Sequence, residues 1–293
     1  MNAKIKIITA MATFGTIGIF VRYIPLPSSI IALVRGVLAT FFLLSVMAGG
    51  KRRPDGMAIT QNLVLLVVSG GLIGFNWILL FEAYNYTSVA VATLCYYLAP
   101  VFVIVASPFV LGEKLTARKT LCVIAALGGM VLVSGVIQNY LSGGNTEDLK
   151  LTGVILGIGA GALYAAIILM NKKLEDISSY DTTVMQLAAA SIVLVPYCLI
   201  TVDIGALEVT PVSAVLLLIV GIVHTGIAYV LYFGSIKELP AQTVAIFSYI
   251  DPILAVLLSA LLLKENMDML SILGAVMILG STFVSEMKGN TND

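Results

Sequence analysis

Four ionisable residues, Arg35, Glu82, His224 and Asp251, fall within or at the end of long apolar runs. An ionised side chain in hydrocarbon costs about 3 kcal/mol on insertion scales, so each needs a partner, a wet surrounding or a task. Asp251 and His224 lie about 11 and 12 residues from the charged end of their runs, roughly 16–18 Å deep if both runs are helical. A carboxylate at that depth can hold a substrate ammonium or carry a proton, and an imidazole beside it can modulate the step, since histidine titrates near neutral pH. The plainer alternative is that Asp251, directly before Pro252, accepts a hydrogen bond at a proline kink and that His224 is a packing residue bonded to it. Arg35 and Glu82 sit toward the ends of consecutive runs, where antiparallel helices would bring them together. As a pair they would form an outer gate, with Arg35 free to grip a carboxylate through two parallel hydrogen bonds. Otherwise Arg35 snorkels and Glu82 is a solvated helix end.

Around these groups the runs are rich in side chains suited to a small-molecule site. Asn76, Trp77 and Phe81 occur in one run, Thr93, Tyr96 and Tyr97 in the next, Tyr229 and Tyr232 with His224, and Ser248 and Tyr249 beside Asp251. Phe75, Gln242 and Phe247 belong to the same runs. At helical spacing Thr93, Tyr97 and Pro100 share one face, as do His224, Ala228 and Tyr232. Such aromatics can line a greasy pocket or hold a cation on their ring faces. They can equally fill core space, and Tyr84 and Tyr86 read as interfacial aromatics.

The elements that must position these residues follow from composition. The chain has 293 residues, 59% of them apolar and 11% charged. A soluble domain carries about 25% charge. The apolar residues gather into ten runs, at 4–22, 29–48, 63–85, 88–111, 118–137, 151–171, 180–202, 211–236, 240–263 and 267–286. Each is about the 20 residues a helix needs to cross a bilayer. With the N-terminus inside, twelve basic residues face the cytoplasm: Lys4, Lys6, Lys51, Arg52, Arg53, Lys114, Arg118, Lys119, Lys172, Lys173, Lys237 and Lys288. Only Arg22, Lys150 and Lys264 face outward, the bias expected when both termini are cytoplasmic. The basic start reads as a retained first span, not a cleaved signal peptide. Cys95, Cys122 and Cys198 show neither paired nor metal-like spacing. Net charge is zero, with 16 basic and 16 acidic residues, so nothing points to a nucleic-acid partner.

Two connections exceed a few residues, 51–62 and a polar stretch at 138–150 that includes GGNTED. The second divides the chain into halves, 1–140 and 151–293, joined by an external linker at 141–150. A single shift of 152 positions superimposes Pro100 on Pro252, Glu113 on Glu265, Phe81 on Phe233, Gly74 on Gly226, Tyr97 on Tyr249 and Gly128 on Gly280. Five spans per half would insert the second copy upside down, the arrangement that lets a carrier open alternately to either side. Pro100 and Pro252, the repeated prolines, are the hinge candidates. The opposite number of Arg35 in the second half is Gln186. Gly70 with Gly74, and Gly157 with Gly161, have the spacing of close helix contacts.

These residues resemble the drug/metabolite transporter superfamily, and within it the EamA family of ten-helix carriers. The likeness is carried by APVFVIVASPFVLGEKLT in span four, GGMVLVSG at the end of span five, their echo DPILAVLLSALLLKENMD in span nine and ALVRGVLATFFLL in span two. The resemblance implies export or exchange of amino acids, related metabolites or drugs through a cavity lined by spans three, four, eight and nine. The chain departs from the family pattern at Lys264, where the first half has Gly112, and in a first span that lacks tryptophan.

The expectation is an all-α membrane protein of ten transmembrane helices in two inverted five-helix repeats, residing in the bacterial cytoplasmic (inner) membrane. Its function is secondary transport of small organic solutes by alternating access, with protons as the candidate coupling ion. Amino acids or related metabolites are the leading substrates, and uptake of a cationic or quaternary amine is the alternative. A channel suits inverted halves less well. An enzyme lacks support, since there is no HExxH, no phosphate loop and one histidine. No cofactor or metal is expected, and partners are limited to substrate, lipid and protons, with the chain a monomer or homodimer.

Overall fold

A computed structural model describes residues 2–50, 54–112, 116–133, 137, 151–236, 247, 250–264 and 268–286. The linker at 141–150 and the candidates Gln242, Ser248 and Tyr249 lie outside the described residues, as do Glu113 and Glu265. The described chain is helical throughout: α1 (Ala3–Arg22), α2 (Ser28–Gly49), α3 (Gly56–Gln61), α4 (Leu63–Tyr86), α5 (Val89–Tyr96), α6 (Ala99–Leu111), α7 (Ala117–Val133), α8 (Leu151–Asn171), α9 (Ser179–Thr201), α10 (Pro211–Ile219), a π-helical segment at Val220–Ile227, α11 (Ala228–Ile236), α12 (Ile250–Leu262) and α13 (Met269–Glu286). Among the described residues, six stretches are long and apolar enough to cross a membrane: α1, α2, α4, α8, α9 and Pro211–Tyr232. Four shorter apolar stretches accompany them, Val89–Val103, Thr120–Val133, Ile250–Leu262 and Met269–Ser281. Large apolar side chains face outward, among them Phe109 at 87% exposure and Ile200 at 84%, as suits a surface solvated by lipid.

Local chemistry sets the helix starts. The side chains of Asn2, Asp55, Ser88, Ser178 and Thr210 each accept from a backbone N–H in the first turn they precede, meeting donors that no helical carbonyl can reach. The 51–62 connection therefore contains a short helix, α3, that the polar composition did not announce. Span four is two helices rather than one. Pro100 has no N–H to offer the carbonyl of Tyr96, and the chain turns at Tyr97 and Leu98 before α6 begins. α12 is described from Ile250, two residues before Pro252. Pro100 is the second residue of α6, directly after the turn at Tyr97 and Leu98.

Helix pairing is reciprocal between the halves. α1 packs on α12 and α11, while α8 packs on α5, α6 and α4. α2 packs on the π segment, α9 on α4, α2 on α9, and α7 on α13. Small residues permit the closest approaches. A Cβ at Gly161 would lie 2.7 Å from the carbonyl oxygen of Tyr96, and one at Gly15 would lie 2.6 Å from that of Asp251. Gly70 and Gly74 take the corresponding close contacts from α9.

Candidate functional site

The π segment decides where the polar groups of the Pro211–Tyr232 stretch point. Its wide turn lets the Thr225 hydroxyl reach back five residues to the carbonyl of Val220, at 2.9 Å, and sets His224 Nδ1 3.4 Å from the carbonyl of Ile219. Such π turns recur at functional sites because they re-aim side chains within a helix. Thr225 Oγ1 also accepts from Arg35 Nε at 2.9 Å. The guanidinium carbon of Arg35 lies 4.1 Å from the Trp77 ring centroid and 5.2 Å from that of Phe81. Arg35 is 3% exposed, and among the described residues no carboxylate is in ion-pair contact with it. A buried cation stacked on indole gains about 2 kcal/mol or more, which offsets only part of its desolvation.

Asp251 occupies the other end of the same region. Its carboxylate accepts from the hydroxyl of Tyr97, at the break between α5 and α6. From Asp251 a line of aromatic contacts runs to Arg35. Tyr97 meets Tyr96 edge-on at 5.6 Å, and Tyr96 stacks on Tyr164 at 5.3 Å. The hydroxyls of Tyr164 and Tyr232 hydrogen-bond. Tyr232 and Tyr229 both meet the edge of Phe14, at 6.0 and 5.5 Å. The Trp77 indole then donates to the Tyr229 hydroxyl, beneath Arg35. Tyr96 lies within electrostatic reach of both Arg35 and Asp251. One turn before Tyr97, Thr93 Oγ1 is the one buried side-chain polar atom among the described residues with no hydrogen-bond partner.

A family model for the EamA-like transporter family matches residues 2–135 and again 151–287. The chain belongs to the EamA-like transporter family. An uncharacterized transporter of Bacillus subtilis strain 168, YxxF, is 31% identical over 281 residues, covering 94% of this chain and 87% of the relative. An uncharacterized transporter of Archaeoglobus fulgidus is 26% identical over 95% of this chain and 94% of its own. Protein RarD of Escherichia coli K12 is 26% identical over 89% and 86%. A solved crystal structure shares the fold, with a TM-score of 0.67 across 96% of this chain and 95% of its own at 17% identity. Membership, together with the helices long enough to span, makes this a multi-pass membrane protein of a transporter family.

Several expected pairings in this EamA chain take another form. Arg35 and Glu82 do not meet: Glu82 accepts from Ser28 at 2.7 Å and from Asn85 at 3.3 Å, while Arg35 turns inward to α4 and the π segment. His224 and Asp251 are not bonded to each other. His224 Nε2 lies 2.8 Å from Thr16 Oγ1, its ring packs on Phe20 at 4.8 Å, and Gly15 abuts the Asp251 backbone. Both groups therefore meet α1 at adjacent residues, on different neighbours. Asn76 donates to the carbonyl of Ala160 at 2.5 Å, a bond that ties α4 to α8. Gln186 bridges Ser69 and Asn171, at 2.7 and 2.5 Å. Tyr84 is buried, its carbonyl accepting from Arg22, whereas Tyr86 is 50% exposed. Phe75 is partly exposed against Tyr197.

Phe14, Thr16, Tyr164 and Thr225 join the site without having been singled out by sequence. Thr225 directly follows His224, and Tyr164 is a lone tyrosine in an otherwise small and aliphatic run, which is the signal each carried. Two turns along α2 from Arg35, a separate cavity of about 520 Å³ is lined by Pro27, Ser28, Glu82, Tyr197 and Asp203, among others.

Proposed function

We propose that this chain is a secondary carrier of small organic solutes, amino acids or related metabolites foremost, working by alternating access in the bacterial cytoplasmic membrane. Export or exchange is coupled to protons, with Asp251 as the coupling carboxylate and both termini in the cytoplasm. The observation that carries this reading is the contact line from Asp251 through Tyr97, Tyr96, Tyr164, Tyr232, Phe14, Tyr229 and Trp77 to Arg35, drawn from both halves of the chain. A site assembled from both halves changes shape when they move relative to each other. Ten spans in two inverted repeats are supported by the double family match and by the reciprocal pairing, in which exchanging halves turns α1 on α12 into α8 on α5 and α6. The outer cavity beside Glu82 would then serve as the vestibule.

The tyrosines close to Asp251 favour a second reading, uptake of a cationic amine held on ring faces. Counterflow in proteoliposomes tests the carrier. Purified protein preloaded with one solute should drive saturable uptake of its labelled counterpart from a panel of amino acids and amines. Flux that is linear in concentration and indifferent to the internal solute would identify a passive pore instead.

A further inference from the structure

We infer that Thr16, in α1, is a positioning residue of the carrier. By donating to His224 it holds the imidazole in the tautomer that supports the π turn, and the π turn in turn holds Thr225 on Arg35. The part this plays in transport rests on the carrier reading above and deepens it.

A hydrogen count fixes the tautomer. His224 is 2% exposed, and each ring nitrogen faces one polar atom. Nδ1 lies 3.4 Å from the Ile219 carbonyl oxygen, which can only accept, so Nδ1 carries the hydrogen. A doubly protonated ring would bury a second cation near Arg35, and among the described residues no acid is in ion-pair contact with either group. The ring is therefore neutral and Nε2 is bare, so Thr16 Oγ1, 2.8 Å away, donates to it. The same hydroxyl lies 2.8 Å from the Thr13 carbonyl oxygen. It has one hydrogen, and the two acceptors compete for it.

The carbonyl that faces Nδ1 belongs to the π turn. Thr225 Oγ1 donates to the Val220 carbonyl and His224 Nδ1 to that of Ile219, so two consecutive carbonyls are each met from five residues on. The hydroxyls of Thr13, Thr40, Ser45, Ser191 and Thr201 instead return to carbonyls four residues back, the α-helical reach. In the other tautomer a bare Nδ1 would face the Ile219 oxygen, leaving that carbonyl to the Val223 N–H of an ordinary α turn. Each residue of an α-helix adds about 100° of rotation, so that exchange would swing Thr225 away from Arg35 Nε.

α1 touches Asp251 and His224 at adjacent residues. A Cβ at Gly15 would lie 2.6 Å from the Asp251 carbonyl oxygen, and Thr16 bonds the imidazole. Phe20, one turn on, packs against the same ring with centroids 4.8 Å apart. A shift of α12 against α1 is therefore met at the residue before Thr16, whose hydroxyl has two acceptors within reach. Coupling between distant groups needs an element with two such discrete arrangements. Thr16 supplies it between Asp251 and Arg35.

The chain contains one histidine, so isotopic labelling of histidine ring nitrogens in the full-length protein, read by NMR in lipid nanodiscs, observes His224 alone. Near neutral pH the ring should carry its hydrogen on Nδ1, in at least about tenfold excess over the Nε2–H form, the factor that two hydrogen bonds together contribute. Thr16→Val removes one of them and should lower that ratio roughly fivefold, whereas Thr16→Ser keeps the hydroxyl and should retain it. In counterflow with the panel of amino acids and amines, the maximal exchange rate should fall roughly fivefold in Thr16→Val and recover in Thr16→Ser. A wild-type ring with its hydrogen on Nε2, or on both nitrogens, would overturn the inference whether or not the variants fold. A Thr16→Val ratio equal to that of wild type would also overturn it and leave the carrier standing. So would an unchanged exchange rate in a Thr16→Val protein that has lost the tautomer preference. No saturable exchange of any solute by wild type would sink the carrier reading and this inference together.

Discussion

The Arg35–Thr225 contact joins α2 to the π segment, and its strength can be worked out before it is measured. Thr225→Val keeps the side-chain volume while removing two bonds, the one to the Val220 carbonyl and the one received from Arg35. Loss of the first costs about 1 kcal/mol, and leaving a buried guanidinium without its Nε acceptor adds roughly 1.5 kcal/mol or more. Arg35→Met removes the buried cation itself. The lost stacking on Trp77, about 2 kcal/mol, is more than offset by the desolvation cost that no longer applies. The single variant should therefore be at least as stable as wild type, while exchange activity disappears. With Arg35→Met in the background, Thr225→Val should cost only the Val220 bond, which gives a coupling energy of about 1.5 kcal/mol, near the upper end for polar pairs in membrane proteins. Reversible unfolding in mixed micelles of mild and denaturing detergent, on the four proteins of the cycle, supplies the number. A coupling below about 0.3 kcal/mol would refute the view that this bond organises the π segment.

Other substitutions separate packing from function. Gly161→Leu should abolish folding, read as loss of monodisperse protein after extraction, because even a Cβ there would be 2.7 Å from the Tyr96 carbonyl. Gly280→Ala, at a position with nothing within 4 Å of a built Cβ, should be tolerated and raise stability by about 0.5–1 kcal/mol through helix propensity. Asn76→Leu should cost about 1–3 kcal/mol in the same unfolding assay by stranding the buried Ala160 carbonyl, with counterflow affinity unchanged in whatever protein folds. An altered substrate affinity would place Asn76 in the site after all.

Hydropathy located the helices well, because a run of about 20 apolar residues has few other solutions in lipid. α8, expected at 151–171, is Leu151–Asn171, and the ends of α1, α2, α4 and α9 lie within a residue of their expected places. The break at Tyr97 and Leu98 lay hidden, since an apolar run reads the same whether or not it bends, and proline marked only the neighbourhood. The π turn was equally silent: no residue type encodes it, and the seating of Leu38 and Phe42 of α2 against Gly221 and Gly226 within it is visible only in three dimensions. Polar pairings were the least legible. Arg35 and Glu82 are close in sequence-derived topology, but a side chain as long as arginine can turn along its helix, and the aromatic faces of Trp77 and Phe81 drew it inward. Asp251 could be singled out as a candidate from its depth in the run alone. Its partner Tyr97, 154 positions away, could be found only in three dimensions.

The central claim is that Asp251 couples proton and substrate movement in a carrier. The direct measurement is counterflow of an exchanged amino acid with and without an imposed pH gradient, in wild type and in Asp251→Asn. The account predicts gradient-driven accumulation in wild type. In the variant it predicts exchange at equal solute concentrations with no response to the gradient. Accumulation driven equally well in both proteins would contradict it and return Asp251 to a structural role beside Tyr97.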